Sequence, residues 1–210
     1  PASTDAQRNA IFRQRYEIYV EEMGRYGDIA DHSNRWLVED VDEVSRLFYA
    51  VRDGQLVGSI RLTLGLDGGL SDALIDKYSL GPFLDEVSAD RLIVGERFMV
   101  DPAYRGTDVL FEMFTTYVRL VNELRIELMI GDCEPHLLNV YQALGFRPYA
   151  ERNINSPDAG YLIPLVVVAE DFDYVEALRS PLSEVMTDFG ADRRIPACVA
   201  RLVDLPSGVT

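Results

Sequence analysis

The chain has 210 residues, 48% of them hydrophobic and 26% charged, a balance that suits a soluble globular domain with a sizeable core and excludes a disordered chain. A formal net charge of -15 speaks against nucleic acid as a partner, because phosphate backbones are bound by basic faces. The longest apolar run, Tyr161 to Ala169, is strand-sized, so no membrane span is expected. The first residues lack the apolar core of a secretory leader, and a cytoplasmic location is expected. Two cysteines (Cys133, Cys198) and two histidines (His32, His136) are too few and too scattered for a zinc site. No metal is therefore expected, and the thiols are expected to be reduced. Lys77 is the only lysine among the 20 basic residues. An arginine-based set suits bidentate contacts to phosphate or carboxylate, or else reflects codon bias.

In chain order, Asp5 to Met23 reads as an amphipathic helix, with Ile11, Phe12, Tyr16, Tyr19 and Met23 at three- to four-residue spacing. Tyr26 to Arg35 is polar and turn-like. Strands are expected at Ser45 to Val51 and Leu56 to Leu64, joined by the hairpin signal Asp53-Gly54. Gly65 to Ala89 reads as an irregular insertion with a short helix near Ser71 to Tyr78. Then come a strand from Leu92 to Val100 and a turn at Asp101 to Gly106. A helix from Thr107 to Asn122 follows, then a strand from Arg125 to Gly131 and a short helix carrying Tyr141, ended by Gly145. Two further strands, Phe146 to Arg152 and Tyr161 to Val168, flank a loop rich in turn formers, Asn153 to Gly160. The tail carries expected helices at Phe172 to Leu178 and Pro181 to Phe189, then a possible strand at Pro196 to Val203.

The order strand, phosphate-sized turn, helix, strand and Tyr141-x-x-x-Gly145-Phe146 resembles the acyl-CoA-binding half of the GNAT acyltransferase superfamily. Four further stretches are similar to the acyl-homoserine-lactone synthases and N-acyl amino acid synthases within it. These are Arg15-Tyr16-Glu-Ile-Tyr19 on the first helix, the acidic Glu39-Asp40-Val41-Asp42, Gly58-Ser-Ile-Arg61-Leu62, and Arg97-Phe98 after the 25-residue insertion. The resemblance spans about residues 10 to 165 and implies an α/β fold. Its mostly antiparallel mixed sheet would be flanked by helices, with a V-shaped splay between central strands. Residues 1–169 would form that domain, and 170–210 a helical C-terminal extension packed on it.

The resemblance also implies an N-acyltransferase that moves an acyl group from a thioester to the amine of an amino acid or small metabolite. The donor would be acyl-CoA or acetyl-CoA, or acyl-4′-phosphopantetheine on an acyl carrier protein as a second partner. Its diphosphate turn maps onto Arg105, Gly106, Thr107 and Asp108, where Asp108 and Leu110 replace glycines of the family pattern. A capped helix start at Thr107 or Asp108 is the competing reading. If Asp108 blocks the turn, the alternative function is a catalytically inactive ligand-binding or interaction module. A carrier protein would need a basic docking patch, with Arg119, Arg125, Arg147 and Arg152 as its candidates.

Glu96 interrupts an apolar strand, where a carboxylate is costly unless paired or lining a cleft. It is a candidate general base, or a partner in a salt bridge to Arg61 or Arg97. In the homoserine-lactone family the carboxylate falls at the position of Val94 here, on the same strand face and about 7 Å away. That leaves lactone formation in doubt and general N-acyl transfer intact. Tyr141 is the candidate acid for the leaving thiolate, although Leu137, Val140 and Leu144 share its apolar face. Phe98 and the backbone of Met99 and Val100 are expected at the thioester. Tyr19 and Trp36 are expected to line a substrate pocket. Asp42 and Arg61 match acceptor-binding positions of the family, and Arg15 and Arg97 are further substrate-binding candidates.

Overall fold

The computed structural model describes residues 1–150, 153–186 and 195–199. Helix α1 (Asp5–Arg15) begins with a reciprocal cap between Thr4 and Gln7. It continues into a wider π-helical stretch, Tyr16–Glu22, so the two together fill the helix expected from Asp5 to Met23. The hairpin β1 (Arg46–Arg52) and β2 (Gln55–Leu64) turns at Asp53 and Gly54, whose φ values of 52° and 77° are both left-handed. That geometry matches the right-handed twist of the two strands.

The insertion holds two short helices, α2 (Asp72–Lys77), capped by Ser71, and α3 (Gly81–Leu84). The central block is β3 (Leu92–Val100), α4 (Val109–Leu124), β4 (Leu128–Cys133) and α5 (Leu138–Leu144). Next come β5 (Arg147–Pro148), β6 (Ile154–Ser156), β7 (Gly160–Val168) and α6 (Phe172–Ala177). The sheet order is β1-β2-β3-β4-β7-β5, with β6 added onto β7. All pairs are antiparallel except β3 and β4, which the α4 crossover makes parallel.

Helix α4 turns Phe114, Tyr117, Val118 and Val121 onto one sheet face, against Ile60, Leu62, Ile93 and Met129. The insertion covers the other face, where Leu74, Tyr78, Leu80 and Phe83 meet Leu92, Val94, Leu128 and Ile130. The alternation of β3 and β4 thus sends successive residues to opposite faces. Among the described residues, no helix is long and apolar enough to cross a membrane.

Some boundaries differ from expectation. Arg125 has φ 52° and ends α4, so β4 starts three residues later than the pattern suggested. Ile154–Ser156, expected in a loop, pair with Gly160 to Leu162 as a hairpin. The strand expected at Phe146 to Arg152 shrinks to two paired residues, and Arg152 lies outside the described residues. In the tail, Pro181 to Val185 form turns, and Ala197–Val199 are helical rather than extended. The remainder of those two tail elements lies outside the described residues.

The insertion is tied down where Gly65 meets its far end: a Cβ there would lie 1.8 Å from the Ala89 carbonyl oxygen. Gly65→Ala should therefore lower the unfolding free energy in urea by roughly 1–3 kcal/mol, the usual scale for overpacking. An unchanged midpoint would show that the insertion can lift without cost.

Candidate active site

Strands β3 and β4 are paired from Leu92–Leu128 only as far as Gly95–Gly131, and then diverge. This is the V-shaped cleft expected between the central strands. Both residues at the fork are glycines, which keeps its apex open. A Cβ on Gly131 would sit 3.3 Å from the Gly95 carbonyl oxygen, and one on Gly95 would sit 3.4 Å from the Tyr117 hydroxyl. Just beyond the fork β3 bulges: Arg61 faces Glu96 and Ser59 faces Met99, so Arg97 and Phe98 share the single partner Ile60.

Arg97 takes a left-handed φ of 54°, which costs a non-glycine residue roughly 1–2 kcal/mol. Its guanidinium is what holds it there. Nε and Nη2 donate to the two Glu39 carboxylate oxygens at 2.7 and 2.6 Å, and Nη1 donates to Tyr26 Oη at 2.7 Å. The same group lies 4.4 Å from the Tyr26 ring centre and 5.3 Å from that of Tyr19. Around the bulge and fork lies a cavity of about 420 Å³.

The insertion side of this cavity is charged. Arg15 Nη1 donates to both Asp42 oxygens at 2.9 and 2.8 Å, and both residues are buried. Arg61, 2% exposed, reaches Glu39 at 2.7 Å, Asp42 at 3.3 Å and Glu96 at 2.8 Å. Glu96 also takes Lys77 Nζ at 2.5 Å and lies 3.1 Å from Tyr78 Oη. Tyr78 Oη is 2.5 Å from Asp132 Oδ2, and Lys77 Nζ is 3.6 Å from the same oxygen.

Burial alone would raise the Glu96 carboxyl, but the charges and hydrogen bonds of Arg61 and Lys77 outweigh it and hold it far below the usual range. The Asp132 carboxyl goes the other way: burial raises it, and Lys77 and the Tyr78 hydrogen bond reverse only part of that.

The α4 side is apolar. Phe98 stacks on Phe114 with ring centres 4.6 Å apart, and Tyr141 packs edge-on against Phe114 at 5.8 Å and Phe146 at 5.3 Å. Burial, with Asp132 adding, pushes the Tyr141 hydroxyl up, so it is a proton donor rather than a phenolate at neutral pH. The Tyr117 hydroxyl is buried and has no hydrogen-bond partner among the described residues.

Of the residues singled out in the sequence, Tyr19, Glu96, Arg97, Phe98 and Tyr141 line the cavity together. Arg15, Asp42 and Arg61 stand behind them as a buried ion chain and do not line it. Trp36 packs against Ile11, Phe12 and Leu47, away from the lining, because its backbone pairs with Asp31 in the turn before it. Met99 and Val100 are back in register with Ser59 and Gly58 beyond the bulge. Glu96, a candidate base or salt-bridge partner, is the anion between two cations, one of them the Arg61 of the salt-bridge reading.

At the turn, Asp108 makes no side-chain cap and instead accepts from Arg52 at 2.8 Å, while Arg105 pairs with Glu22 at 2.5 Å. Gly106 has φ 76°, and Thr107 Oγ1 accepts from Val109 N–H at 3.4 Å. Lys77, Tyr78 and Asp132 went unassigned in the sequence. Alternation from Leu128 and Ile130 would have placed Asp132 on the Glu96 face, one residue past the expected strand end.

A sheet splayed beside a bulged central strand, with an aromatic and a charged side, defines an acyltransferase of the GNAT fold. The sequence profile of the N-acyl amino acid synthase FeeM family matches residues 10–166, and the chain belongs to that family. It is an N-acyltransferase.

Solved structures share the fold at low identity. A CoA-dependent acyl-homoserine lactone synthase, BjaI, with MTA matches at TM-score 0.64 and 15% identity, covering 95% of this chain and 92% of that one. FeeM, an N-acyl amino acid synthase from uncultured soil microbes, matches at TM-score 0.62 and 19% identity, covering 89% and 96%. The CoA-dependent synthase MesI matches at 0.61 and 22%, covering 87% and 90%. No curated protein matches the sequence.

The ion chain makes stability depend on pH. Burial would raise the Glu39 carboxyl, yet hydrogen bonding to Arg97 and the charges of Arg61 and Arg97 bring it from 4.5 to about 2. A depressed folded value means stabilisation that is full above about 4.5 and lost as pH falls through about 2. Wild type should therefore exceed Glu39→Gln in urea unfolding by a margin that shrinks by roughly 3 kcal/mol as pH drops across that window. A margin that stays constant would overturn the assignment.

Proposed function

We propose that the chain joins a fatty acyl group, carried as its coenzyme A thioester, to the α-amino group of an amino acid. The observation that carries this reading is the fork at Gly95 and Gly131. It opens one cavity onto two chemically opposite sides, an aromatic one suited to the acyl thioester and a charged one suited to a zwitterion. The family of N-acyl amino acid synthases supplies the acceptor class. On the charged side Lys77, 33% exposed, and Arg25, 30% exposed, are cations that a carboxylate could meet, whereas Arg97 is saturated by Glu39 and Tyr26. Asp132 and Glu96 offer negative charge to the ammonium beside it.

Coenzyme A is the simpler donor. Of the arginines that a carrier protein would dock on, Arg147 is buried, paired with Asp171 and 3.9 Å from the Tyr174 ring centre, which leaves fewer charges for a carrier to meet. A CoA-dependent synthase of the same fold was solved with SAM and isopentyl-CoA (TM-score 0.60, 16% identity). Asp108, the residue that favours an inactive module, has its charge taken up by Arg52 at 2.8 Å. The two arginines flanking the turn, Arg52 and Arg105, are exchangeable partners for phosphate, because surface ion pairs are weak.

In this reading the amine nitrogen attacks the thioester carbon, and backbone groups of β3 past the fork, freed from β4, receive the developing oxyanion. The C–N bond forms, the C–S bond breaks, and Tyr141 gives the departing thiolate its proton. Positioning in the fork supplies much of the rate.

The test is release of free thiol from decanoyl-CoA and from acetyl-CoA in the presence of each proteinogenic amino acid, with mass spectrometry of the product. Amino-acid-dependent thiol release with an N-acyl amino acid as product is expected. Tyr141→Phe should lower kcat by about 10²-fold or more while leaving the fold intact. Thiol release that ignores the amine would overturn the reading.

A further inference from the structure

We propose that Asp132, rather than Glu96, handles the acceptor's proton, and that it stands in the ligand-free site as a neutral carboxylic acid hydrogen-bonded through Tyr78 to Glu96. The part concerning the acceptor rests on the acyl-transfer reading above; the resting proton does not.

Three oxygens lie in a row: Glu96 Oε1, Tyr78 Oη at 3.1 Å and Asp132 Oδ2 at 2.5 Å from it. Tyr78 has one hydroxyl hydrogen and cannot donate both ways. If both carboxyls were ionised, one contact would set two lone pairs against each other in a buried place, where an unpaired polar group is costly. A second hydrogen removes the conflict. Glu96 is anchored by Arg61 at 2.8 Å and Lys77 at 2.5 Å, so it is the end that stays ionised and accepts from Tyr78. Among the described residues the cation nearest Asp132 is Lys77 at 3.6 Å, beyond hydrogen-bond length, so Asp132 is the end that carries the proton and donates to Tyr78 Oη.

The surroundings agree. Lys77 and Tyr78 face Asp132 from the end of α2, Glu96 and Arg97 from β3, and Cys133 and Glu134 follow it in the chain. Tyr19, Tyr26, Tyr141 and Tyr149 lie within electrostatic reach of it, all with hydroxyls raised by burial and therefore neutral. Burial raises the carboxyl, and of the two cations only Lys77 approaches it closely.

This placement closes the proton balance of the reaction. Making an amide from an ammonium and a thioester gives amide, thiol and one free proton. An ammonium docking beside Asp132 drives the resting proton into solvent. The carboxylate then takes one proton from the ammonium, leaving the amine that attacks. As the C–S bond breaks, Tyr141 protonates the thiolate and is resupplied by the second nitrogen proton. The cycle ends with Asp132 protonated, as it began, and with one proton released.

Infrared spectroscopy of the ligand-free protein at neutral pH reads the resting proton directly. A protonated-carboxyl stretch is expected in wild type. It should shift when the aspartates carry ¹³C in the side-chain carboxyl, vanish in Asp132→Asn and move in Tyr78→Phe. The labelled wild-type and Tyr78→Phe spectra decide the matter even if Asp132→Asn does not fold. No aspartate band, or one indifferent to Tyr78→Phe, overturns the proposal. In turnover, Asp132→Asn should lose about 10²–10⁴-fold in kcat, the scale of general acid–base groups. Intact turnover in that variant would overturn Asp132 while leaving acyl transfer standing. A wild type that shows the band but transfers no acyl group would do the reverse.

Discussion

Arg61 is a full charge in the middle of a strand, 2% exposed, and the rest of the site is arranged around satisfying it. Removing such a group from water costs several kcal/mol, which is offset only by close, well-directed partners. Those three partners arrive from two separate parts of the chain: Glu39 and Asp42 from the loop before β1, and Glu96 from β3. Asp42 in turn holds Arg15 on α1, and Glu39 holds Arg97 at the bulge. One buried cation therefore fixes the N-terminal helix, the acidic loop and the bulged strand relative to each other. The arrangement is not optimal for stability, since Arg61 Nε, Arg15 Nε and Arg15 Nη2 are buried without acceptors among the described residues. Apolar side chains of similar volume would fill this space at least as stably. What apolar packing could not do is hold Arg97 in a left-handed conformation and Glu96 as a fixed anion beside the cavity.

The cavity itself comes from the backbone. A parallel pair that stops after four residues leaves β3 with a neighbour on one side only, so half of its later peptide groups face open space. Glycine on both strands at the last pair keeps that space from being filled from within. The bulge then tilts β3 further and exposes two successive residues opposite one. The alternation of strands divides the labour. Residues in phase with Leu92 and Val94 deliver charge to the insertion side, and those in phase with Ile93 and Gly95 deliver the apolar surface under α4. A single register slip would exchange the two, which is why the hydrophobic pattern of these strands is so strict.

Most elements were legible because their periodicity is long and their turns carry clear chemistry, as at Asp53-Gly54 and at Gly145, where φ is 107°. Glu96 announced itself as a charge inside an apolar strand. Its partners were harder to find. Arg61 was nominated, but Lys77 comes from an insertion without periodicity, and only the fold brings α2 across the end of β3. Asp132 fell one residue beyond the expected strand, because Arg125 to Glu127 looked extended while Arg125 in fact closes α4. Asp42 and Arg15 resembled ligand-binding residues for a related reason: sequence reveals that a charge is kept among apolar neighbours, not whether its partner is a substrate or another side chain. Trp36 shows the same limit for aromatics, since packing on α1 and lining a pocket leave the same trace.

The departure of the Arg105 to Asp108 turn from the family pattern becomes understandable once charge is counted locally. An aspartate at the start of α4 would repel a diphosphate if it stood alone, and it suits the helix dipole whether or not a ligand binds. Here Asp108 and Glu112 share Arg52, at 2.8 and 2.9 Å, and Arg105 is shared with Glu22, all at exposed positions. Exposed pairs of this kind contribute little and exchange readily. Arriving phosphates would therefore compete for two arginines that are already in place, at the cost of displacing carboxylates into water. The glycines of the usual turn let the backbone approach phosphate closely. In the proposed function their absence would shift recognition from peptide N–H groups to side-chain guanidinium groups, a change that would favour a charged, salt-sensitive donor contact over a short-range one.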